Sequence, residues 1–182
     1  MALSGDWIDF TNEPIRYGDI ASVGGSSEFF FVAVAKYDDF GGDNALAGEF
    51  GGGDNGPWLV SEDGSPNQVV FIVHTDQGGR VDLKAGEPDQ GKWHIYRCAY
   101  DGSEMSIHID GVEAGTASQS GNLITDDRRF FVAGYDHTTS GVLRPLDGGI
   151  AEMIIATSVP PDTDIAALES ELESKWPHLL DA

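Results

Sequence analysis

Segment 38–44 carries the side chains of this sequence that are best suited to binding a hard cation. Its oxygen donors are Asp38, Asp39, Asp43 and Asn44, and the two glycines among them allow the chain to turn sharply. Ca²⁺ accepts about six to eight oxygen ligands, including carboxylates, amide oxygens, backbone carbonyls and water. The spacing is not that of an EF-hand loop, and in so acidic a chain four oxygens also come together by chance. The segment predicts a calcium site, with a chance grouping as the alternative, and no motif requires another cofactor.

Two further segments combine an aromatic ring with planar polar groups, which is what a sugar-binding site needs. They pair Trp58 with Asn55, and Tyr135 with Asp136 and His137. An exposed ring can stack on a sugar face while the neighbouring side chains bond its hydroxyls. The alternative is that these rings fold back over the ends of the domain. These five residues are the predicted glycan contacts.

Segment 91–111 indicates what kind of structure must position these groups. Residues 93–100 carry apolar side chains in both period-2 registers, which is typical of a strand covered on both faces. A turn at 101–103 and an alternating run at 105–109 complete a predicted hairpin. Other strands are predicted at 5–10, 27–37, 45–50, 67–75, 80–84, 112–117, 128–134 and 148–158, with exposed loops at 38–58 and 135–145.

The last twenty residues change from the period of a strand to that of a helix. Ile165, Leu168, Leu172 and Trp176 recur at helical spacing, and Pro177 is expected to end the helix. The sequence therefore predicts an all-β fold, a two-sheet antiparallel β-sandwich with one short C-terminal helix at about 163–176. At 182 residues the whole chain, 1–182, is expected to form a single domain.

The net charge of the chain limits the classes of partner that it is expected to bind. With 31 acidic and 10 basic residues the net charge is −21, which repels phosphate backbones and makes nucleic acid an unexpected partner. The acids are scattered through nearly every turn, so we favour a diffuse acidic coat over clustered cation sites. A saline or halophilic source is the hypothesis that follows.

Membrane insertion and export are not expected either. No stretch approaches the roughly 18 apolar residues of a membrane helix, and the first ten residues do not resemble a secretory signal. Cys98 is the only cysteine, so no intrachain disulfide forms, and its place in a strand predicts a small buried hydrophobe.

The hairpin and the closing segment carry a resemblance to a known family. Trp93-His94, the Tyr100-Asp101-Gly102 turn, the strand after it and Asp110-Gly111 resemble the core of the laminin-G-like branch of the concanavalin A-like jelly rolls. Residues 148–176 resemble the family's closing strand and the terminal helix of its stand-alone microbial and viral members. The resemblance runs from about residue 3 to about 179. It implies a jelly-roll sandwich that is usually non-catalytic and binds glycans, proteins or calcium through loops at one rim.

Catalytic motifs are missing from the sequence. The sandwich glycosidases related to this family place their carboxylates as Glu-x-Asp-x-x-Glu on one strand, and no such run occurs. The nearest substitute is Glu104, His108 and Asp110 on one strand, for which a solvated surface is the favoured interpretation. Neither zinc-hydrolase nor serine-hydrolase spacings occur. The chain is therefore not expected to be an enzyme.

These observations leave three functional hypotheses. The first is a non-catalytic, lectin-like adhesion module displayed on a virus particle, as a capsid decoration, turret or tail component assembled in the host cytoplasm, or else a free or cell-surface carbohydrate-binding protein. The second is a purely structural decoration protein of such a particle. The third and weakest is a diverged β-glucan hydrolase. The expected partners are a glycan and proteins of the particle, and a homo-oligomer is compatible with the pattern.

Overall fold

The structure is a computed structural model that describes residues 2–4, 7–10, 15–17, 23–41, 44–51, 55–64, 67–125, 130–137 and 142–180. For 2–4, 7–10, 15–17, 51, 55, 135–137 and 142–144 the description covers strand placement and not the side chains. The elements in these residues are β1 (Ala2–Ser4), β2 (Trp7–Phe10), β3 (Ile15–Tyr17), β4 (Phe29–Tyr37), β5 (Ala45–Gly51), β6 (Asn55–Gly64), β7 (Asn67–Thr75), β8 (Gly79–Ala85), β9 (Trp93–Tyr100), β10 (Glu104–Ile109), β11 (Val112–Ser118), β12 (Phe130–Val132), β13 (Gly134–His137), β14 (Val142–Pro145), β15 (Gly148–Ala156), α1 (Asp162–Lys175) and α2 (Pro177–Leu180).

Two large antiparallel sheets form a β-sandwich. One sheet has the strand order β1-β2-β15-β4-β9-β10-β11, and the other has the order β3-β12-β5-β6-β7-β8. A small sheet pairs β13 with β14. The predicted fold class is confirmed: the chain is an all-β sandwich with a short C-terminal helix.

Strand β4 explains why the sequence contains a continuous apolar run. Phe29, Phe31 and Tyr37 face the other sheet and join the main core, whereas Phe30 and Val32 face outward into a second core beneath α1. All five side chains are at most 1% exposed. Both faces of the strand are therefore buried, and a polar residue on either face would lose its water.

Helix α1 covers the outer face of the first sheet. Ile165 and Leu172, seven residues apart and so on one side of the helix, are its buried residues. The helix ends at Lys175, as predicted to within a residue. Pro177 does not simply end the helix but begins α2, because the fixed φ of proline suits the first turn of a helix and its missing N–H is not needed there. Among the described residues, no helix is both long and apolar enough to cross a membrane.

The segment predicted as an exposed loop at 135–145 contains a hairpin instead. Tyr135 pairs with Arg144 and His137 with Val142 in the β13–β14 ladder. Ala133 turns the chain out of β12 with a φ of +58°, and this turn is anchored by its N–H to the Leu46 carbonyl at 2.7 Å. Residues 135–145 are rich in polar and turn-forming types, so the sequence pattern favoured a loop.

Candidate functional site

The carboxylate of Asp110 joins the two ends of the hairpin that the sequence singled out. Asp110 sits at the turn after β10 with a φ of +51°, a conformation that aspartate tolerates better than most residues. Its Oδ1 accepts the backbone N–H of Ile95 at 2.8 Å, and its Oδ2 lies 2.7 Å from Nδ1 of His94. His94, Ile95 and Asp110 thus form one hydrogen-bonded unit.

Hydrogen bonding determines the charge state of this carboxylate. Partial burial alone would raise the pKa of Asp110, but the bonds from His94 and from the Ile95 N–H outweigh it and lower the pKa below its ordinary value. An ionised carboxylate only accepts hydrogen bonds, so Nδ1 of His94 carries a hydrogen. His94 is held with 14% of its side chain exposed, against 49% for Asp110.

This unit lines a groove between β9 and the end of the chain, which we name the Trp93 groove. The groove has a volume of about 600 Å³, and α2 lies against β9 beside it. The segment before β9, which contributes Asp89 and Lys92 to the groove, is bonded to the end of β4. The Gly91 N–H donates to the Tyr37 carbonyl at 2.7 Å, and the Gln90 side-chain amide donates to the Asp38 carbonyl at 2.6 Å. The lining residues are Asp89, Lys92, Trp93, His94, Ile95, Asp110, Glu173, Pro177 and Leu180.

Lys92 distinguishes the Trp93 groove from the rest of the described surface. The other lysines and arginines whose side chains are described each pair with a carboxylate: Lys36 with Asp38, Arg80 with Asp82, Lys84 with Asp63, Arg97 with Glu169 and Lys175 with Glu152. Lys92 is exposed and forms no ion pair with any residue that the structure describes. Its ammonium is available to a ligand.

A second groove, of about 360 Å³, lies between α1 and the strands β9, β10 and β11. Here Nε of Arg97 donates to Oε1 of Glu169 at 2.8 Å, with both side chains at most 15% exposed. Glu104 and His108 line this groove, whereas Asp110 lines the Trp93 groove. Burial and the neighbouring Arg97 lower the pKa of His108. The structure therefore does not bring together the three groups that the sequence offered as a substitute catalytic set.

The calcium candidates have protein partners in the structure. Asp38 holds the ammonium of Lys36 with both oxygens at 2.8 Å. The Asn44 amide nitrogen donates to the Asp39 carbonyl at 2.8 Å and to Oε1 of Glu62 at 3.1 Å, and Asn44 is buried. The Asp39 side chain is exposed, and Asp43 lies outside the described residues. Within the described part of the chain, no group of three or more His, Cys, Asp or Glu side chains is arranged so that it could hold a metal ion. Calcium binding by this loop stays a prediction.

The structure buries one of the predicted glycan contacts and gives only strand positions for the other four. Trp58 is fully buried, and its ring centroid is 4.5 Å from that of Phe29. The expectation of an exposed platform at Trp58 is therefore wrong: its register in β6 points the ring into the sandwich, opposite Val73. Asn55 pairs with Gly51 at the end of β5, and Tyr135, Asp136 and His137 lie in β13, which packs against β5. The structure gives the strand positions of these four residues and no side-chain contacts for them.

The sequence did not identify Lys92, Pro177 and Leu180 as parts of one site. The signal that was present is the Trp93-His94 pair together with Asp110, which we interpreted as scaffold. The groove forms only where the last turn of α1 and helix α2 lie beside that hairpin. No local sequence pattern indicates such a contact between distant parts of the chain.

The fold resembles several solved structures. A Bacteroides ovatus protein, described as a proposed carbohydrate-binding protein, is 14% identical with a TM-score of 0.65 over 87% of this chain and 45% of that chain, so the chain spans about half of its length. The Ruminococcus gnavus IT-sialidase CBM40 bound to α2,3-sialyllactose is 16% identical with a TM-score of 0.62 over 81% of this chain and 84% of that chain. The native heptameric SAP-like pentraxin of Limulus polyphemus is 8% identical with a TM-score of 0.59, covering 79% and 70%. At such identities the likeness shows the fold alone.

Sequence comparison identifies the family directly. No curated protein sequence matches the chain significantly. A family model described as the concanavalin A-like lectin/glucanases superfamily matches residues 11–166, which include β3 to β15 and the first turn of α1. Given this match and the sandwich that it spans, the chain belongs to the concanavalin A-like lectin/glucanases superfamily.

Proposed function

We propose that the chain is a non-catalytic carbohydrate-binding module that binds a neutral glycan in the Trp93 groove. The observation that carries this proposal is the composition of the groove. Pro177 and Leu180 supply apolar surface beside Trp93, which is only 8% exposed. Lys92 and the carboxylate of Asp89 offer a hydrogen-bond donor and an acceptor. A sugar presents the complementary combination of an apolar ring face and hydroxyl groups.

The charge of the groove favours a neutral sugar over an acidic one. Asp89, Asp110 and Glu173 face a single lysine, in a chain whose net charge is −21. An acidic sugar would bring another carboxylate against these groups, and like charges repel at short range. Sialyllactose is the ligand of the R. gnavus module; for this chain we propose a ligand without a carboxylate.

The lowered pKa of Asp110 supports a binding role for the groove over a catalytic one. A general acid for glycoside cleavage needs a raised pKa so that it holds a proton near neutral pH. The pKa of Asp110 is lowered instead, and its two oxygens are used by Ile95 and His94. Release of reducing sugar from a panel of β-glucans would contradict the non-catalytic proposal.

A glycan array that carries matched neutral and sialylated oligosaccharides tests the proposal. We expect wild-type protein to retain neutral glycans, and Lys92→Ala to weaken the affinity for the best of them about tenfold, the loss of one charge-assisted bond. Lys84→Ala removes the same charge from the other sheet, where Lys84 pairs with Asp63, and should leave the affinity unchanged. Absence of glycan binding by the wild type, or equal loss in both variants, would refute the assignment.

We further propose that the module is displayed on a virus particle, with a free or cell-surface protein as the alternative. Support comes from the single cysteine, Cys98, which is buried and unpaired and therefore suits synthesis in a reducing cytoplasm. Co-purification with assembled particles, detected with an antibody to this chain, is the test. Recovery of the protein only in the particle-free fraction would reject the display proposal and leave glycan binding untouched.

A further inference from the structure

Three buried polar atoms belong to neighbouring aromatic side chains, two in the main core and one, His94, that also lines the Trp93 groove. They are the hydroxyl oxygens of Tyr37 and Tyr96 and Nε2 of His94, and none has a hydrogen-bond partner among the described residues. Both tyrosines are fully buried. Buried polar groups in folded proteins are almost always bonded, to protein or to ordered water.

The three rings form one continuous cluster. The centroids of Tyr37 and Tyr96 are 5.6 Å apart at an interplanar angle of 73°, and those of His94 and Tyr96 are 5.8 Å apart at 64°. The side chains come from the same face of neighbouring strands, since β4 pairs with β9 and His94 lies opposite Ala35. The three rings therefore pack against one another on one face of the sheet.

The chemistry of the three atoms defines what can bind between them. Burial raises the pKa of both phenols, so each keeps its hydrogen and is a donor. When the His94 ring is neutral, Nδ1 donates to Asp110 and Nε2 is left as an acceptor. The cluster thus offers two donors and one acceptor. Water accepts two hydrogen bonds and donates two, whereas a cation cannot accept a hydrogen bond from either phenol.

We propose that an ordered water molecule binds in this cluster, accepting from Tyr37 and Tyr96 and donating to Nε2 of His94. It completes the bonding of a ring that lines the Trp93 groove, with Asp110 on one nitrogen and the buried water on the other. Such a site is typical of internal water, which makes about three bonds to groups that would otherwise be unbonded. Neither the glycan proposal nor its failure affects this inference.

A high-resolution crystal structure of the whole chain is the direct test. We expect a solvent peak at about 2.6–3.2 Å from at least two of the three atoms. A dry cluster, direct bonds among the three side chains, or a peak with the anomalous signal of a metal would overturn the proposal.

A double-mutant cycle tests the same point in solution. Tyr37→Phe and Tyr96→Phe keep the rings and remove the hydroxyls, so a shared water predicts that their effects on the unfolding equilibrium are not additive. We expect the double variant to deviate from the product of the single effects by about threefold or more. Tyr100→Phe is the matched control, because the Tyr100 hydroxyl donates directly to the Gly121 carbonyl at 2.5 Å, and it should combine additively with Tyr96→Phe. Additivity in both pairs would contradict a shared water.

Discussion

Asp110 shows how one side chain can fix a turn, a strand end and a ring at once. Its positive φ reverses the chain after β10, and its two oxygens hold Ile95 and His94 on the neighbouring strand. The resemblance in the sequence rests on these same residues. The Trp-His and Asp-Gly signature therefore reflects a physical requirement of the hairpin, whatever the ligand.

The lowered pKa of Asp110 leads to a prediction about acid stability. A carboxylate with a lowered folded-state pKa stabilises the fold above its unfolded value of about 4, and that contribution is lost as the pH falls through the folded pKa. We expect urea unfolding between about pH 3 and pH 6 to show a steeper loss of stability for wild type than for Asp110→Asn. Asparagine tolerates the positive φ, so the variant isolates the charge. Parallel curves would contradict this account.

Cys98 should be chemically inert in the folded protein. Its side chain is fully buried in the main core, and burial raises the pKa of the thiol far above its ordinary value. Since the thiolate is the reactive form, we expect labelling by a thiol reagent at pH 8 to be at least about 100-fold slower than in urea. Rapid labelling of native protein would show that the strand opens or that the thiol is accessible.

Helix α1 is attached to the sandwich by an ion pair as well as by apolar contact. The Arg97–Glu169 pair links β9 to the middle of the helix, and Glu152 of β15 accepts from both Lys175 and the Trp176 indole at 2.8 Å. The helix buries only two residues fully. These polar contacts therefore help to hold helix α1 against the sheet.

Removing the Arg97–Glu169 ion pair should destabilise the chain measurably. Glu169→Gln leaves the Arg97 guanidinium largely buried without its carboxylate, and we expect a loss of about 1–3 kcal/mol in the free energy of unfolding. Glu171→Gln makes the same charge change at an exposed position of the same helix and should alter stability by less than about 0.5 kcal/mol. Chemical denaturation of both variants measures the difference, and equal effects would contradict a structural role for the pair.

The elements that bury apolar surface on a regular period were predictable from the sequence. Strands β4, β7 and β9 and helix α1 lie where the patterns place them, to within two residues. The sequence pattern did not predict the β13–β14 hairpin or most of β6. Strand β6 begins with Asn-Gly-Pro, and the hairpin begins with residue types that are typical of turns. In both cases pairing with a neighbouring strand outweighed local propensity.

The candidate site was less predictable than the fold. An aromatic beside an amide, as in Trp58 with Asn55, looks the same in a sequence whether the ring faces solvent or the core. The register of β6 decides this, and it depends on pairing with β7. Lys92 differs from the other described basic residues in having no ion-pair partner among the described residues. Ion pairs are tertiary contacts, so this difference cannot be seen in the sequence.

The net charge of −21 bears on the stability of the molecule as a whole. So many like charges repel one another in the compact state, and salt screens this repulsion because the Debye length falls from about 10 Å at 0.1 M to about 3 Å at 1 M. We expect the melting temperature to rise by about 4 °C or more between these concentrations of NaCl, which corresponds to roughly 1.5 kcal/mol for a chain of this length. KCl should act equally, since screening depends on ionic strength. An unchanged melting temperature would argue against the acidic coat as an adaptation to salt.

We propose above that this sandwich binds a neutral glycan in the Trp93 groove. The most direct measurement is a ¹H–¹⁵N NMR titration of the whole chain with the neutral oligosaccharide that binds best on the array. If the glycan binds in this groove, we expect saturable shifts concentrated in residues 89–95, at Asp110 and in residues 173–180. Shifts concentrated on the outer face of the six-stranded sheet, or no saturable shifts at all, would contradict it.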